Sequence, residues 1–238
     1  MFEIIRQHIS GWRKLSQQHK TLAESGIEWT PGLANYFNTP LPEPDALVLQ
    51  QDMIALDFET SGIEAGKDQI LSVGWVPMNM SQIDLDASKE IFIKHPEYVS
   101  ADSATINQIV PEALRNGVDL DDAMSQLFDV LAGKIPVVHG ACIEKQFIEA
   151  YLKQRFGIAH FPCFWIDTLR VEKSMTFSGK TTLGRSFQLQ DVRSAYGLPA
   201  YNAHSAAIDA LSAAELLIAQ VKSIFKNHPP RLSKIAMF

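Results

Sequence analysis

The chain has little of what secreted, disulfide-stabilised or membrane-spanning proteins require. Its two cysteines, Cys142 and Cys163, are too few for a disulfide framework and are not spaced as a CxxC pair. It has no apolar run of about 18 residues, the length that a transmembrane helix needs. Residues 1–8 lack the basic start and apolar middle of a signal peptide. We therefore expect a cytoplasmic protein with two reduced thiols and no membrane association.

Basic residues are also in short supply. Lys and Arg total 21 against 27 Asp and Glu, which gives a formal net charge of −6. A protein that coats nucleic acid along its backbone needs a broad basic face, so this class is disfavoured. An enzyme that holds a few nucleotides in a cleft is compatible with this charge, because carboxylates that bind metal ions lower the pI.

The remaining composition is that of an ordinary globular protein. Hydrophobic residues make up 46% of the 238 residues and charged residues 20%, enough for one sizeable core. One α/β domain with a small appendage fits this length. We divide the chain into an N-terminal helix and Pro-rich extension, 1–50, and a main domain, 51–238.

The N-terminal segment differs in pattern from the rest of the chain. Residues 4–22 carry apolar side chains at helical spacing, which predicts one amphipathic helix. Residues 29–44 contain four prolines, which predicts an extended connector. We expect the segment to dock on the main domain through Trp12 and Trp29. The alternative is that the same apolar residues bind a partner.

From residue 51 the pattern predicts three strands first and then an alternation of helices and strands. The predicted elements are strands at 53–58, 70–77 and 90–94, a helix at 119–132, a strand at 135–138, a helix at 141–156, a strand at 164–166, a helix at 168–175 and a helix at 203–224. This order fits an α/β fold, a mixed sheet with helices on its faces.

The most informative residues are Asp57 and Glu59, at the end of the first predicted strand. Residues two apart in a strand point to the same side, so the two carboxylates lie next to each other. Neighbouring acids repel unless a positive charge lies between them, and hard divalent cations take oxygen ligands of this kind. The pair therefore predicts a metal site.

A second acidic group, His204 with Asp209, comes late in the chain. Residues five apart on a helix lie about 140° apart around its axis, so both cannot face one point from mid-helix. The geometry works if His204 lies in the loop before the helix and Asp209 in its first turns. The neighbouring Tyr201 and Asn202 favour such a loop.

Together these residues suggest a two-metal phosphodiesterase. In this chemistry two cations about 3.5–4 Å apart clamp the attacking and leaving oxygens. Asp57 is expected to bridge the two metals, with Glu59 and Asp209 at one of them. A neutral histidine can take the proton of the attacking water, and His204 is the candidate for this catalytic role.

Three ordered motifs resemble those of the DEDDh 3′→5′ exonucleases, a DnaQ-like family that includes the proofreading subunit of the bacterial replicative polymerase and ribonuclease T. The motifs are DFETSG at 57–62, HGACIEKQFI at 139–148 and YNAHSAAIDAL at 201–211. The resemblance spans about residues 52–220. It implies a ribonuclease H-like fold, two Mg²⁺ or Mn²⁺ ions as cofactors, and release of 5′-mononucleotides from a 3′ end.

The resemblance also assigns residues in the middle motif and the substrate cleft. Glu144 stands where the family has a metal-binding Asp, one methylene longer, and Gly140 stands where it has Asn. Asn107 replaces a His found in many relatives. Thr60 would hold the terminal nucleotide, and Ile63 would pack on its base.

The leading hypothesis is a two-metal 3′→5′ exonuclease that acts on single-stranded 3′ ends, DNA before RNA. One alternative is an exoribonuclease that trims RNA or degrades short oligonucleotides. Another is a degenerate, non-catalytic module that binds nucleic acid or a partner, which the departures at Glu144, Gly140 and Asn107 keep open. A replication or repair protein as partner is compatible with the resemblance.

Overall fold

A six-stranded sheet forms the centre of the chain. The computed structural model describes residues 2–95, 109, 111–177, 186–201 and 205–237, with side chains described from residue 10 onward except at 175–177. The strands are β1 (Met53–Thr60), β2 (Ile70–Met78), β3 (Lys89–Phe92), β4 (Ile135–Val138), β5 (Trp165–Asp167) and β6 (Ala236–Met237).

The strands lie in the order β3-β2-β1-β4-β5-β6. The first three pair antiparallel, whereas β4 runs parallel to β1 and β5 runs parallel to β4. The short β6 pairs antiparallel with β5. The predicted α/β fold with a mixed sheet is therefore confirmed. The parallel half of the sheet is connected through a helix, as parallel strands require.

Helices cover both faces of this sheet. They are α1 (Phe2–Ala23), α2 (Pro31–Asn38), α3 (Pro111–Arg115), α4 (Leu120–Leu131), α5 (Cys142–Phe156), α6 (Thr168–Phe177), α7 (Leu189–Ala195), α8 (Ala206–Phe225) and α9 (Leu232–Ile235), with a 3₁₀ turn at Val48–Gln50. Among the described helices, none is long and apolar enough to cross a membrane.

Alternation along β1 creates one apolar core on each face of the sheet. Ile54, Leu56 and Phe58 point towards α2, α4 and α5. Met53 and Ala55 point to the opposite face, where α8 packs together with parts of α1 and α9. Because the alternation continues to the end of β1, Asp57 and Glu59 follow Met53 and Ala55 on the α8 face.

The prediction of an extended connector at 29–44 was wrong, because the stretch contains α2. Pro31 opens this helix at its first position, where the missing N–H has no intrahelical partner to lose. The helix packs closely on α4 through Gly32, whose N–H donates to Ser125 Oγ at 3.0 Å. On its other side, the Tyr36 hydroxyl donates to the Pro162 carbonyl at 2.8 Å.

Both tryptophans of the N-terminal segment pack within the chain, as expected. The Trp29 ring lies 5.1 Å from the Phe156 ring of α5, centre to centre. Trp12 Nε1 donates to the Pro42 carbonyl at 3.4 Å and its ring packs on the α8 side of the sheet. The segment is thus in contact with both faces of the sheet, and the domain boundary at residue 50 stays a prediction.

Candidate functional site

Three carboxylates meet at one end of β1. One oxygen each from Asp57, Glu59 and Asp209 lies within 4.8 Å of the other two. Glu59 is only 7% exposed, and Asp57 is half-buried. The structure therefore brings together three of the residues that the sequence predicted as metal ligands. Oxygen ligands at this spacing suit a hard divalent cation.

Asp209 reaches this point because α8 begins directly against the sheet. In the sheet register Asp57 pairs with Gly74 of β2, and the backbone of the first residues of α8 lies over Gly74. Asp209 lies in the first turn of the helix, as predicted, and its N–H donates to the Ser205 carbonyl at 2.9 Å. The positive end of the helix also favours an acid in this turn.

Glu144 lies in the first turn of α5 and is 4% exposed. Its Oε2 atom is buried and has no hydrogen-bond partner within the described part of the chain. Its charge also acts on Asp57. A buried carboxylate oxygen of this kind needs a proton or a cation, so Glu144 fits the role of a further metal ligand.

Burial and mutual repulsion make these acids hard to ionise without a cation. Burial, followed by the charges of Glu144 and Asp209, raises the pKa of Asp57 well above its ordinary value. Burial and the charges of Asp209 and Glu90 raise the pKa of Glu59 to about 7. Burial raises the pKa of Glu144 to about 8, although two backbone amides act in the opposite direction. A bound divalent cation would remove this penalty.

The loop after β1 presents the two predicted substrate residues. Thr60 ends the strand, and its hydroxyl donates to the Gly62 carbonyl at 2.7 Å. Asp68 braces the loop by accepting from the Glu64 N–H at 2.8 Å. Ile63 is 74% exposed, the highest value among the large apolar side chains described as exposed. An exposed apolar side chain on a braced loop can pack on a nucleotide base.

His204 and Asn107 lie outside the described residues. The structure does locate the residue after His204: Ser205 is the N-cap of α8, and the helix begins at Ala206. The helix predicted at 203–224 therefore begins three residues later than expected, which meets the condition that it begins after position 204. The catalytic role of His204 stays a prediction.

Two further acids near the site were missed by the sequence reasoning. Asp167, at the end of β5, accepts from the N–H groups of Gly140 at 2.9 Å and Leu169 at 2.9 Å. Asp167 thereby connects the start of α6 to the turn before α5. Glu144 lies in the first turn of α5, directly after this connection. An acid between a strand and a helix is a helix N-terminus signal, so Asp167 could have been found. Glu90 could not, because its position depends on the β2–β3 register.

Comparisons with known proteins identify the family and the fold. A family model described as Exonuclease (RNase_T) matches residues 54–217. A DNA polymerase III PolC-type of Thermotoga petrophila is 29% identical over 219 residues, which are 89% of this chain and 15% of that protein. The DNA polymerase III subunit epsilon of Treponema pallidum is 28% identical over 170 residues, 70% of this chain and 75% of that one. The chain thus spans only a small part of the PolC-type protein.

Solved structures share the fold at low sequence identity. Cell-death related nuclease 4 superposes with a TM-score of 0.59 at 16% identity, over 73% of this chain and 64% of that one. The nuclease domain of 3′hExo, a DEDDh family member bound to rAMP, gives 0.59 at 11% identity, over 75% and 96%. E. coli Exonuclease I with a 5cy-dT13 oligonucleotide gives 0.57 at 12% identity, over 74% and 41%.

The predicted ribonuclease H-like exonuclease fold is confirmed by these superpositions. The family match covers both Asp57 and Asp209, so it includes the strand and the helix that form the acidic site. The chain belongs to the exonuclease family, and its resemblance to the DEDDh-type 3′→5′ exonucleases is confirmed.

Proposed function

We propose that this chain is a metal-dependent 3′→5′ exonuclease that hydrolyses single-stranded 3′ ends and releases nucleoside 5′-monophosphates. The observation that carries the proposal is the convergence of Asp57, Glu59 and Asp209, with carboxylate oxygens within 4.8 Å of one another. The buried Oε2 of Glu144, for which the described residues offer no hydrogen-bond partner, supports it. An acidic site of this kind is unfavourable for folding unless it binds cations.

The residues divide the work of the reaction between them. Asp57, Glu59, Asp209 and Glu144 would hold two Mg²⁺ or Mn²⁺ ions, which supply Lewis-acid stabilisation of the charge that develops on phosphate oxygens. His204 would take the proton of the attacking water. Thr60 and the exposed Ile63 would hold the terminal nucleotide by a hydroxyl contact and by packing on its base.

DNA is the first substrate that we propose. Two relatives have DNA polymerase III in their names, and Exonuclease I was solved with a 5cy-dT13 oligonucleotide. A replication or repair protein would then be the partner. RNA trimming is the second candidate, since the 3′hExo domain was solved with rAMP. A degenerate binding module, the third, is disfavoured by the intact Asp57, Glu59 and Asp209.

The test is digestion of 5′-labelled single-stranded DNA and RNA of one sequence, with Mn²⁺, with Mg²⁺ and with EDTA. We expect a ladder that shortens from the 3′ end, requires the cation and forms faster on DNA. Faster shortening of RNA would select the second candidate. If neither polymer is cleaved and His204→Ala behaves as wild type, the chain is the binding module.

A further inference from the structure

Asp57, Gly74 and Glu90 form one row across the first three strands of the sheet. Asp57 of β1 pairs with Gly74 of β2, and Gly74 pairs with Glu90 of β3. Paired residues point to the same face of a sheet, so Glu90 faces α8 as Asp57 does. The glycine between them leaves the space that the start of α8 occupies.

Glu90 binds the start of this helix with both carboxylate oxygens. Its Oε2 accepts from the Ser205 hydroxyl at 2.7 Å, and its Oε1 accepts from the Ala206 N–H at 3.2 Å. Oε1 also accepts from the hydroxyl of the fully buried Ser72 on β2 at 2.9 Å. The half-buried Glu90 carboxylate thus accepts three hydrogen bonds, which join two neighbouring strands to the helix.

The N-terminus of α8 lacks the usual capping hydrogen bond from the side chain of its own N-cap residue. Ser205 is the N-cap residue, but its side chain makes no capping hydrogen bond to its own helix. Its hydroxyl is turned to Glu90 instead, and Glu90 binds the free N–H of the first helical residue from the sheet. Bonds between a carboxylate and the backbone N–H groups of a helix start are charge-assisted and strong.

Glu90 also adds a negative charge next to the other acids of the site, which it repels. Its charge is among those that raise the pKa of Glu59 and of Asp57. An acid in this place therefore weakens the ionisation of its neighbours, and a neutral side chain would relieve the repulsion. The bonds to Ser205 and Ala206 are the compensating contribution of Glu90.

We propose that Glu90 is a positioning residue that fixes the first turn of α8, and with it Asp209, against Asp57 and Glu59. The catalytic consequence rests on the proposed function, whereas the effect on metal binding does not. Ser205 is the partner through which Glu90 acts. A purely electrostatic role of Glu90 and a purely stabilising role are the competing explanations.

The test uses the full chain with Glu90→Ala, Glu90→Gln, Ser205→Ala and the double variant Glu90→Ala/Ser205→Ala. Mn²⁺ affinity is measured by titration calorimetry, and kcat and KM on labelled single-stranded DNA. Groups that orient metal ligands change metal affinity or activity by about 10–100-fold when removed, and we expect Glu90→Ala to weaken Mn²⁺ binding and lower kcat in this range. KM for DNA stays unchanged.

The other variants separate the explanations. Glu90→Gln retains an oxygen acceptor, so its Mn²⁺ affinity is expected to lie between wild type and Glu90→Ala. The double variant is expected to be no weaker than Glu90→Ala, because coupled residues act non-additively. The exposed Asp86, upstream of β3, provides the matched control: Asp86→Asn removes one acid and is expected to bind Mn²⁺ as wild type does.

Three results would overturn the positioning role. If Glu90→Gln is as weak as Glu90→Ala while Ser205→Ala binds normally, charge alone explains Glu90. Unchanged Mn²⁺ affinity in every variant, with only a lower Tm, would leave Glu90 a stabilising residue. If Glu90→Ala does not fold, the Mn²⁺ affinities of Glu90→Gln and Ser205→Ala still distinguish the positioning role from the other two explanations. A wild-type chain that binds Mn²⁺ without degrading DNA or RNA refutes the proposed function alone, and one that binds no Mn²⁺ refutes both.

Discussion

Gly74 on β2 lies in direct contact with the backbone of Ala206 at the start of α8. A Cβ atom at position 74 would lie 2.2 Å from the Ala206 carbonyl carbon, far inside van der Waals contact. The atom that it would meet belongs to the main chain, which cannot rotate away as a side chain does. Glycine at this position therefore permits α8 to begin beside Asp57, and Asp209 follows in the first turn.

Replacing this glycine by alanine is expected to displace the helix start and to disturb the acidic site. Overpacking of this kind typically lowers the free energy of unfolding by about 1–3 kcal/mol, which urea denaturation measures. Mn²⁺ binding should weaken at the same time, because Asp209 moves with the helix. A Gly74→Ala variant with wild-type stability and Mn²⁺ affinity would show that α8 can begin elsewhere without loss.

Gly66, in the loop after β1, is the matched control for this substitution. A Cβ atom at Gly66 would meet nothing within 4 Å, and its φ angle lies outside the left-handed region. Gly66→Ala is therefore expected to keep the wild-type free energy of unfolding and Mn²⁺ affinity, or to be slightly more stable.

Part of the site could be predicted because the relevant patterns are local. The alternation of β1 alone places Asp57 and Glu59 side by side. The Ala- and Leu-rich run at 203–224 predicts a helix, and α8, which begins at Ala206, holds Asp209 in its first turn. Neither pattern by itself shows that Asp209 lies near Asp57 and Glu59. We inferred this proximity from the order of the three motifs along the chain.

Other features depend on contacts that no local pattern contains. Glu90 becomes part of the site only through its register with Gly74, which is set by two strand pairings. The two-residue β6 carries no periodicity and is held by its pairing with Trp165 and Ile166. Pro31 was taken to disfavour helix, whereas it begins α2, whose Gly32 lies directly against the backbone of α4.

Removing the central carboxylate is expected to abolish nuclease activity. Asp57→Asn keeps the shape of the side chain but removes a charge that would hold the metal ions, so turnover should fall by at least about 100-fold. The fold should stay intact, because the pKa of Asp57 is already raised by burial and by neighbouring acids and the neutral form suits the site. Digestion of labelled single-stranded DNA and thermal unfolding measure the two effects.

Asp52 provides the control for this variant. It is exposed and lies just before β1, so Asp52→Asn removes an acid close in sequence but outside the site. Wild-type turnover is expected for Asp52→Asn. Turnover by Asp57→Asn at a level equal to this control would refute the assignment of the site.

Shortening Glu144 is expected to retain or raise activity. Glu144→Asp keeps a carboxylate in the first turn of α5 and restores the residue type that the resemblance expects there. Glu144→Gln, of equal length but neutral, is expected to lose activity, because the buried Oε2, which has no hydrogen-bond partner among the described residues, would bind a cation through its negative charge and an amide carries none. If Glu144→Asp is inactive as well, the longer side chain is a required part of this site.

The metal-free protein is expected to lose stability as the pH rises. In the folded chain burial raises the pKa of Glu59 from 4.5 to about 7 and that of Glu144 from 4.5 to about 8. Between these values the folded state binds more protons than the unfolded state. The free energy of unfolding therefore falls as the pH increases from about 4.5 towards 8, by a few kcal/mol. Urea denaturation in EDTA at a series of pH values measures this slope.

A divalent cation should reverse this dependence, because it takes the place of the protons. With saturating Mn²⁺ the free energy of unfolding at pH 8 is expected to rise above its value in EDTA, and at pH 5 to rise much less, since protonated carboxyls bind the cation poorly. Glu59→Gln removes one of the titrating groups, so its slope in EDTA should be shallower than that of wild type. Equal slopes in wild type and Glu59→Gln, or a Mn²⁺ effect that is the same at both pH values, would show that these carboxyls do not form the cation site.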